Sequence, residues 1–76
     1  TIENMFSRNV GLAPVRYFRV LRLNRTRQKL LDRSRLKDSI GDIASEEGFW
    51  DWSRFSGYYL RQFGERPSET RMRAAG

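Results

Sequence analysis

The chain has 76 residues, with thirteen arginines and two lysines against nine carboxylates, a formal net charge of +6, and neither histidine nor cysteine. One domain is the most this length supports, and the missing residue types exclude a disulfide framework, a thiolate site, a Cys/His zinc finger and a histidine general base. Apolar runs of two or three residues fall far short of the roughly 18 needed to span a bilayer and the N-terminal residues lack the pattern of a signal peptide, so a soluble, cytoplasmic protein with no membrane association is expected.

Five helical segments are predicted in chain order, each with its own punctuation. Over Thr1 to Asn9, Ile2, Met5 and Phe6 lie on one helical face, and Gly11 stands at a left-handed cap position. Pro14 suits the first turn of a long helix running to about Arg33, whose Tyr17, Phe18, Val20, Leu21, Leu23, Leu30 and Leu31 give its first half a wide apolar arc. Ser39, with Asp42 three residues on, caps a short helix carrying Ile40, Ile43 and Ala44 and ending at Gly48. Asp51 caps the next, in which Phe55, Tyr59 and Phe63 recur every four residues as a buried stripe and Gly64 is the stop. Pro67 opens a last short helix, with Glu69 suited to its positive end. No segment alternates strictly enough for a strand, and the class is all-α.

Charge is segmental. Residues 1–13 sum to zero, 14–38 to +7, 39–53 to −4 and 54–76 to +3. Arginine's planar fork favours phosphate or carboxylate, so a polyanion is the natural partner; the competing expectation is a solvated helix face paired with Glu46, Glu47 and Asp51. Residues 39–64 read as two short helices around a glycine-containing turn, the helix-turn-helix pattern. At 100° per residue, Ser53, Gly57 and Leu60 fall opposite the aromatic stripe, with Ser56 on one flank and Arg54 and Arg61 on the other. Small groups bordered by arginines suit close approach to base edges with phosphates held at the margins. A mid-helix glycine costs roughly 0.5–1 kcal/mol against alanine, so Gly57 either makes room for a ligand, relieves crowding against a neighbouring helix, or is simply tolerated.

The ordered set Gly11-Leu12-Ala13-Pro14, Arg22-Leu23, Ser39-Ile40-x-Asp42-Ile43-Ala44, Gly48-Phe49, Ser53-x-Phe55, Phe63-Gly64 and Pro67-Ser68 resembles the DNA-binding domain of AraC/XylS-type transcription regulators over nearly the whole chain. The resemblance implies two helix-turn-helix units on a long linker helix, each placing its second helix in the major groove. Residues 1–13 become the recognition helix of an incomplete first unit whose first two helices lie outside this sequence. Residues 14–38 become the linker helix and basic connector, and 39–76 the second unit with its closing helix. Glu3, Asn4, Trp52, Ser53, Ser56 and Gly57 then face bases, while Arg8, Ser39 with the amides beside it, Arg54 and Arg61 meet phosphate. Gly57 and Leu60 stand where the family commonly carries larger or basic residues, which shifts specificity toward the first unit and DNA shape. Implied partners are double-stranded promoter DNA in the bacterial nucleoid, RNA polymerase subunits, and an effector-sensing or dimerisation domain elsewhere in the full chain. No cofactor, metal or catalytic residue is expected, since the chain lacks a phosphate-binding glycine motif and paired carboxylates on a cleft. The alternative is a basic helical protein-interaction module contacting an acidic partner.

Overall fold

The computed structural model describes residues 13–76, which form four α-helices and one 3-10 turn with no strand among them. The expected helix Thr1 to Asn9, the Gly11 cap, Glu3, Asn4 and Arg8 lie outside the described residues. Helix α1 spans Ala13–Leu31 with Pro14 in its first turn, where the missing N–H has no intrahelical partner to lose. It stops two residues before the expected end at Arg33. Asp32 accepts hydrogen bonds from the Ser34 amide (2.9 Å) and hydroxyl (2.7 Å), which turns the chain into the 3-10 segment Arg33–Arg35 instead of another α-helical turn.

Helices α2 (Ile40–Glu46) and α3 (Trp52–Phe63) begin at the expected caps, and α4 (Pro67–Ala75) at the expected Pro67. The Ser39 hydroxyl oxygen accepts from the Asp42 amide at 3.0 Å, an Asp51 carboxylate oxygen from the Arg54 amide at 3.1 Å, and Glu69 from the Arg66 amide at 2.9 Å. Gly48 (φ +90°) and Gly64 (φ +72°) occupy left-handed backbone, where a side chain would be strained. At the first of these, the Gly48 and Phe49 amides donate to the Ser45 and Ala44 carbonyls at 3.0 Å each and aim the chain from α2 into the turn.

Leu23 and Leu30 from α1, Ile43 and Ala44 from α2, and Phe55 and Tyr59 from α3 make the core, with Ile40, Phe49, Tyr58 and Phe63 against it. The aromatics form a continuous ladder: ring centroids lie 5.0 Å apart for Phe49–Phe55, 5.8 Å for Phe55–Tyr59 and 4.6 Å for Tyr59–Phe63. Phe63, expected to be buried with the others, is half-buried, its ring lying 5.3 Å from the Arg27 guanidinium. The wide apolar arc of α1 is not enclosed on all sides, since Val15 is 68 % and Phe18 47 % exposed.

Two buried threonines complete the interior. The Thr26 hydroxyl donates to the Arg22 carbonyl of the preceding turn at 2.9 Å, satisfying itself within α1. Thr70 receives the Tyr59 hydroxyl at 2.7 Å and donates to Glu65, which also pairs with Arg73 at 2.6 Å. Burial pushes the Tyr59 phenol above its ordinary range, keeping it a neutral donor in this chain of bonds. Helix α4 is held against the far end of α1 by Arg71, whose guanidinium donates to the carbonyls of Leu30 (3.0 Å), Arg35 (2.7 Å) and Asp38.

The acidic segment pairs with only part of the basic one. Glu46 takes a two-pronged contact from Arg35 (2.8 and 2.6 Å) and one from Lys29 (2.9 Å), and Lys29 also reaches Glu47 at 2.7 Å. Arg35 first and Lys29 second hold the Glu46 carboxyl at about 2, well below its ordinary value of 4.5. A depressed carboxylate contributes stability that is fully present above the unfolded value near 4.5 and is lost as pH falls through about 2. Glu46→Gln is therefore expected to be less stable than the parent chain at pH 6, with the difference shrinking below pH 4 and gone near pH 1.5. Urea unfolding across that range checks it; a difference constant with pH would show that the carboxylate's charge plays no part.

Candidate nucleic-acid interface

The second of the paired helices, α3, is anchored by its aromatic stripe and presents the opposite side outward. Ser53 is exposed in its first turn, Leu60 is 45 % exposed in its last full turn, and Gly57 lies between them. Arg54 and Arg61, seven residues apart, share the flank nearer α1. On the other flank Trp52, Ser56, Gly57 and Leu60 line a shallow groove of about 430 Å³ closed by Arg66 and Pro67 at the start of α4. Three of the four base-facing candidates on α3 thus come together in one groove, while Ser53 stands on the exposed surface beside it.

The individual side chains differ in how firmly they are held. Trp52 is 53 % exposed, with its ring 5.6 Å from that of Phe55, so one edge of the indole is supported by the core while the other stays open. Ser56 is half-buried. Arg54 makes a loose contact with Asp51 (3.7 Å) and remains 77 % exposed in its side chain, which leaves its guanidinium able to exchange that partner for another anion. Ser39 sits apart from α3, at the start of α2, and its oxygen is engaged by the Asp42 amide as a cap.

Gly57 is not relieving crowding. A Cβ built on it meets nothing within 4 Å outside its own helix, so the space over this turn is open. Gly57→Ala is expected to raise stability by about 0.5–1 kcal/mol through helix propensity alone. Thermal unfolding followed by circular dichroism checks this, and a loss of stability would mean that the open space is closed in solution.

In the sequence, residues 14–38 form one basic block, and composition does not connect its first half to α3. Arg16, Arg19 and Arg22 recur every three residues on the side of α1 that borders α3, and this spacing was the available signal. The Arg19 guanidinium lies 4.1 Å over the Tyr58 ring centroid. Arg66 and Ser68, at the α4 edge of the groove, were also not foreseen as neighbours of Gly57. Among the described residues no helix is long and apolar enough to cross a membrane, and no group of acidic residues is arranged to hold a metal ion.

A family model described as a helix-turn-helix domain matches residues 1–73. The chain is 37 % identical over 70 residues to the XylDLEGF operon transcriptional activator of Pseudomonas putida, covering 92 % of this chain and 22 % of that protein. It is 37 % identical over 72 residues to the transcriptional activator RhaS of Escherichia fergusonii (95 % of this chain, 25 % of that protein). It is 33 % identical over 64 residues to the probable thc operon regulatory protein of Rhodococcus erythropolis (84 % and 19 %). The chain therefore spans about a fifth to a quarter of the length of these relatives. No solved structure matches it. An all-helical fold with a capped helix, glycine turn and second capped helix, together with the match across residues 1–73, places the chain in the AraC/XylS-type helix-turn-helix family of DNA-binding transcription regulators.

Proposed function

We propose that this chain binds double-stranded promoter DNA sequence-specifically, with α3 lying in the major groove, as the DNA-binding part of a larger regulator. The observation that carries this reading is the outward face of α3, where Ser53 is exposed and nothing stands within 4 Å of a Cβ at Gly57, between an arginine-bearing flank and the Trp52 groove. A helix is about 10–12 Å across with its side chains and the major groove is about 12 Å wide, so a face of small groups lets the backbone come close to the bases.

In this reading Ser53 and Ser56 exchange hydrogen bonds with base edges, Trp52 and Leu60 meet thymine methyls, and Arg54 and Arg61 hold phosphates at the margin. Ser39, whose oxygen caps α2, would present the neighbouring amides to a phosphate in this reading. Residues 1–13 would belong to a first helix-turn-helix unit, in which Asn4 pairs with adenine, Glu3 accepts from cytosine and Arg8 meets phosphate. With two hydroxyls and a glycine at its centre, α3 supplies modest direct readout, leaving much of the specificity to that first unit and to DNA shape. The relatives' description as transcriptional activators extends the reading to activation, through contact with RNA polymerase, under the control of an effector or dimerisation domain in the remaining chain.

Fluorescence anisotropy with a labelled mixed-sequence duplex between roughly 50 and 300 mM salt tests the reading, since each neutralised phosphate contributes about −0.9 to the log–log slope. A slope near −4 to −5 is expected. Absence of binding at the lowest salt would favour the second reading, a protein-interaction module. Trp50, 83 % exposed at the turn, is the observation that favours that second reading.

A further inference from the structure

The cations of α1 and of the 3-10 turn that follows it differ in the company they keep. Toward its C-terminal end and the 3-10 turn, Lys29 and Arg35 are tied to Glu46, Glu47 and Asp38. Toward its N-terminal end, Arg16, Arg19 and Arg22 form no ion pair with any described residue. They face α3 instead. Arg16 and Arg19 share a cleft of about 200 Å³ with Tyr58 and Arg61, and Arg19 and Arg22 share an adjoining one of about 260 Å³ with Tyr58 and Arg54.

Five guanidinium groups thus line two neighbouring clefts in which Asp51 is the lone carboxylate among the described lining residues. Internal stability does not account for this, because like charges gathered at one helix crossing repel, and Asp32, Asp38, Glu46, Glu47, Glu65 and Glu69 are engaged with other groups. Arg19 shows what the arrangement achieves. Its guanidinium lies over the Tyr58 ring, a contact that takes up no anion and leaves the cation able to form a forked pair with one.

Resting on the reading of α3 as the helix that enters the groove, we infer that Arg16, Arg19 and Arg22 form a second phosphate track, binding the same DNA strand that Arg54 and Arg61 hold at the margin of α3. The three residues rise about 4.5 Å apart along α1, about 9 Å in all, a span long enough to meet more than one phosphate of a strand. A duplex is favoured over an acidic protein because the three residues are continuous with the flank of α3 that carries Arg54 and Arg61 and offer forked donors, with exposed apolar groups, Val15 and Trp50, only in the cleft that Arg19 and Arg22 share. The track carries no sequence information; it fixes how α1 lies on the duplex and hence the register of α3 in the groove.

The test compares the full chain with its Arg16→Ala/Arg19→Ala variant on a preferred and on a mixed-sequence duplex, from 50 to 300 mM salt. Removing two phosphate contacts is expected to reduce the slope by about 1.8, equally on both duplexes, so that affinity changes about 12-fold less between 50 and 200 mM salt than it does for the parent. Circular dichroism verifies the fold, and Arg16→Gln/Arg19→Gln replaces the pair if alanine disturbs it. Arg19→Lys should restore the slope while leaving affinity below the parent's, because an ammonium keeps the charge and loses the forked geometry. An unchanged slope, with the parent binding normally, would overturn the track and leave the role of α3 standing; an acidic protein fragment competing equally well against parent and DNA would do the same. A parent chain that binds no duplex would overturn the DNA-binding reading itself, and the track with it.

Discussion

Arg71→Ala is expected to lower the stability of the 76-residue chain by about 2–4 kcal/mol, more than any other single arginine. Hydrogen bonds from a charged donor are worth roughly 1.5–3 kcal/mol each, and those sharing one guanidinium are not additive. Arg71 makes three, to the carbonyls of Leu30, Arg35 and Asp38, and these are the groups through which α1, the 3-10 turn and the approach to α2 reach α4. The Leu30 carbonyl belongs to the last turn of α1, whose carbonyls have no intrahelical amide to accept from, so the guanidinium acts as a cap supplied from 41 residues away. Removing it leaves three half-buried acceptors to water or to nothing. For a domain of this size, with an expected total of only several kcal/mol, that is a large fraction. Urea unfolding should show a lower midpoint with an unchanged slope. Arg71→Lys should recover only a small part, because one ammonium cannot address three carbonyls in the geometry of a planar fork. A stability change of less than about 0.5 kcal/mol would show that α4 is held without Arg71, by its apolar contacts and the Tyr59–Thr70 bond.

Arg71 also marks where sequence reasoning stopped. The local signals were sufficient wherever a residue acts within its own turn. Ser39, Asp51 and Glu69 accept from amides three residues away, Gly48 and Gly64 adopt positive φ, and Pro14 and Pro67 stand in first turns. Each of these roles depends on side-chain chemistry at a fixed short offset, which is visible in a linear string. One short-range competitor was overlooked: Asp32 and Ser34 end α1 by forming their own turn before Arg33 is reached.

Long-range polar roles had no such signal. Arg71 reads as one more surface cation in a chain with thirteen arginines, and Thr26 and Thr70 as ordinary hydroxyls, yet both threonines are fully buried. The basic block shows the same division. Composition alone left open whether it pairs internally or awaits a polyanion, and only part of it pairs internally among the described residues. Lys29 and Arg35 meet Glu46 because the chain folds α2 back against the end of α1. Arg16, Arg19 and Arg22 are spaced along the other end, beside α3, where no comparable cluster of carboxylates is brought to them among the described residues. For the interface, the wheel of α3 was legible because one strongly apolar stripe defines its inner side. The groove between Gly57 and Pro67 was not, since it depends on how α4 returns after Gly64.

Ser53→Glu is expected to reduce affinity for a preferred duplex at least 100-fold, about 2.7 kcal/mol, while leaving the fold intact or slightly stabilised. The two effects have opposite signs for separate reasons. Ser53 is the second residue of α3, after the Asp51 cap, where unpaired amides and the helix dipole favour a negative side chain by about 0.3–1 kcal/mol. In the proposed complex the same position faces base edges between two phosphate strands, so the carboxylate is both desolvated and repelled, a juxtaposition that costs several kcal/mol. Ser53→Ala separates the hydroxyl from the charge: it removes a single neutral hydrogen bond and should cost about 1 kcal/mol or less. Anisotropy at fixed salt and thermal unfolding read the two quantities independently. If Ser53→Glu melted at or above the parent temperature and still bound with parental affinity, Ser53 would lie off the DNA surface, and the reading face of α3 would have to be sought on the side lined by Trp52 and Ser56 instead.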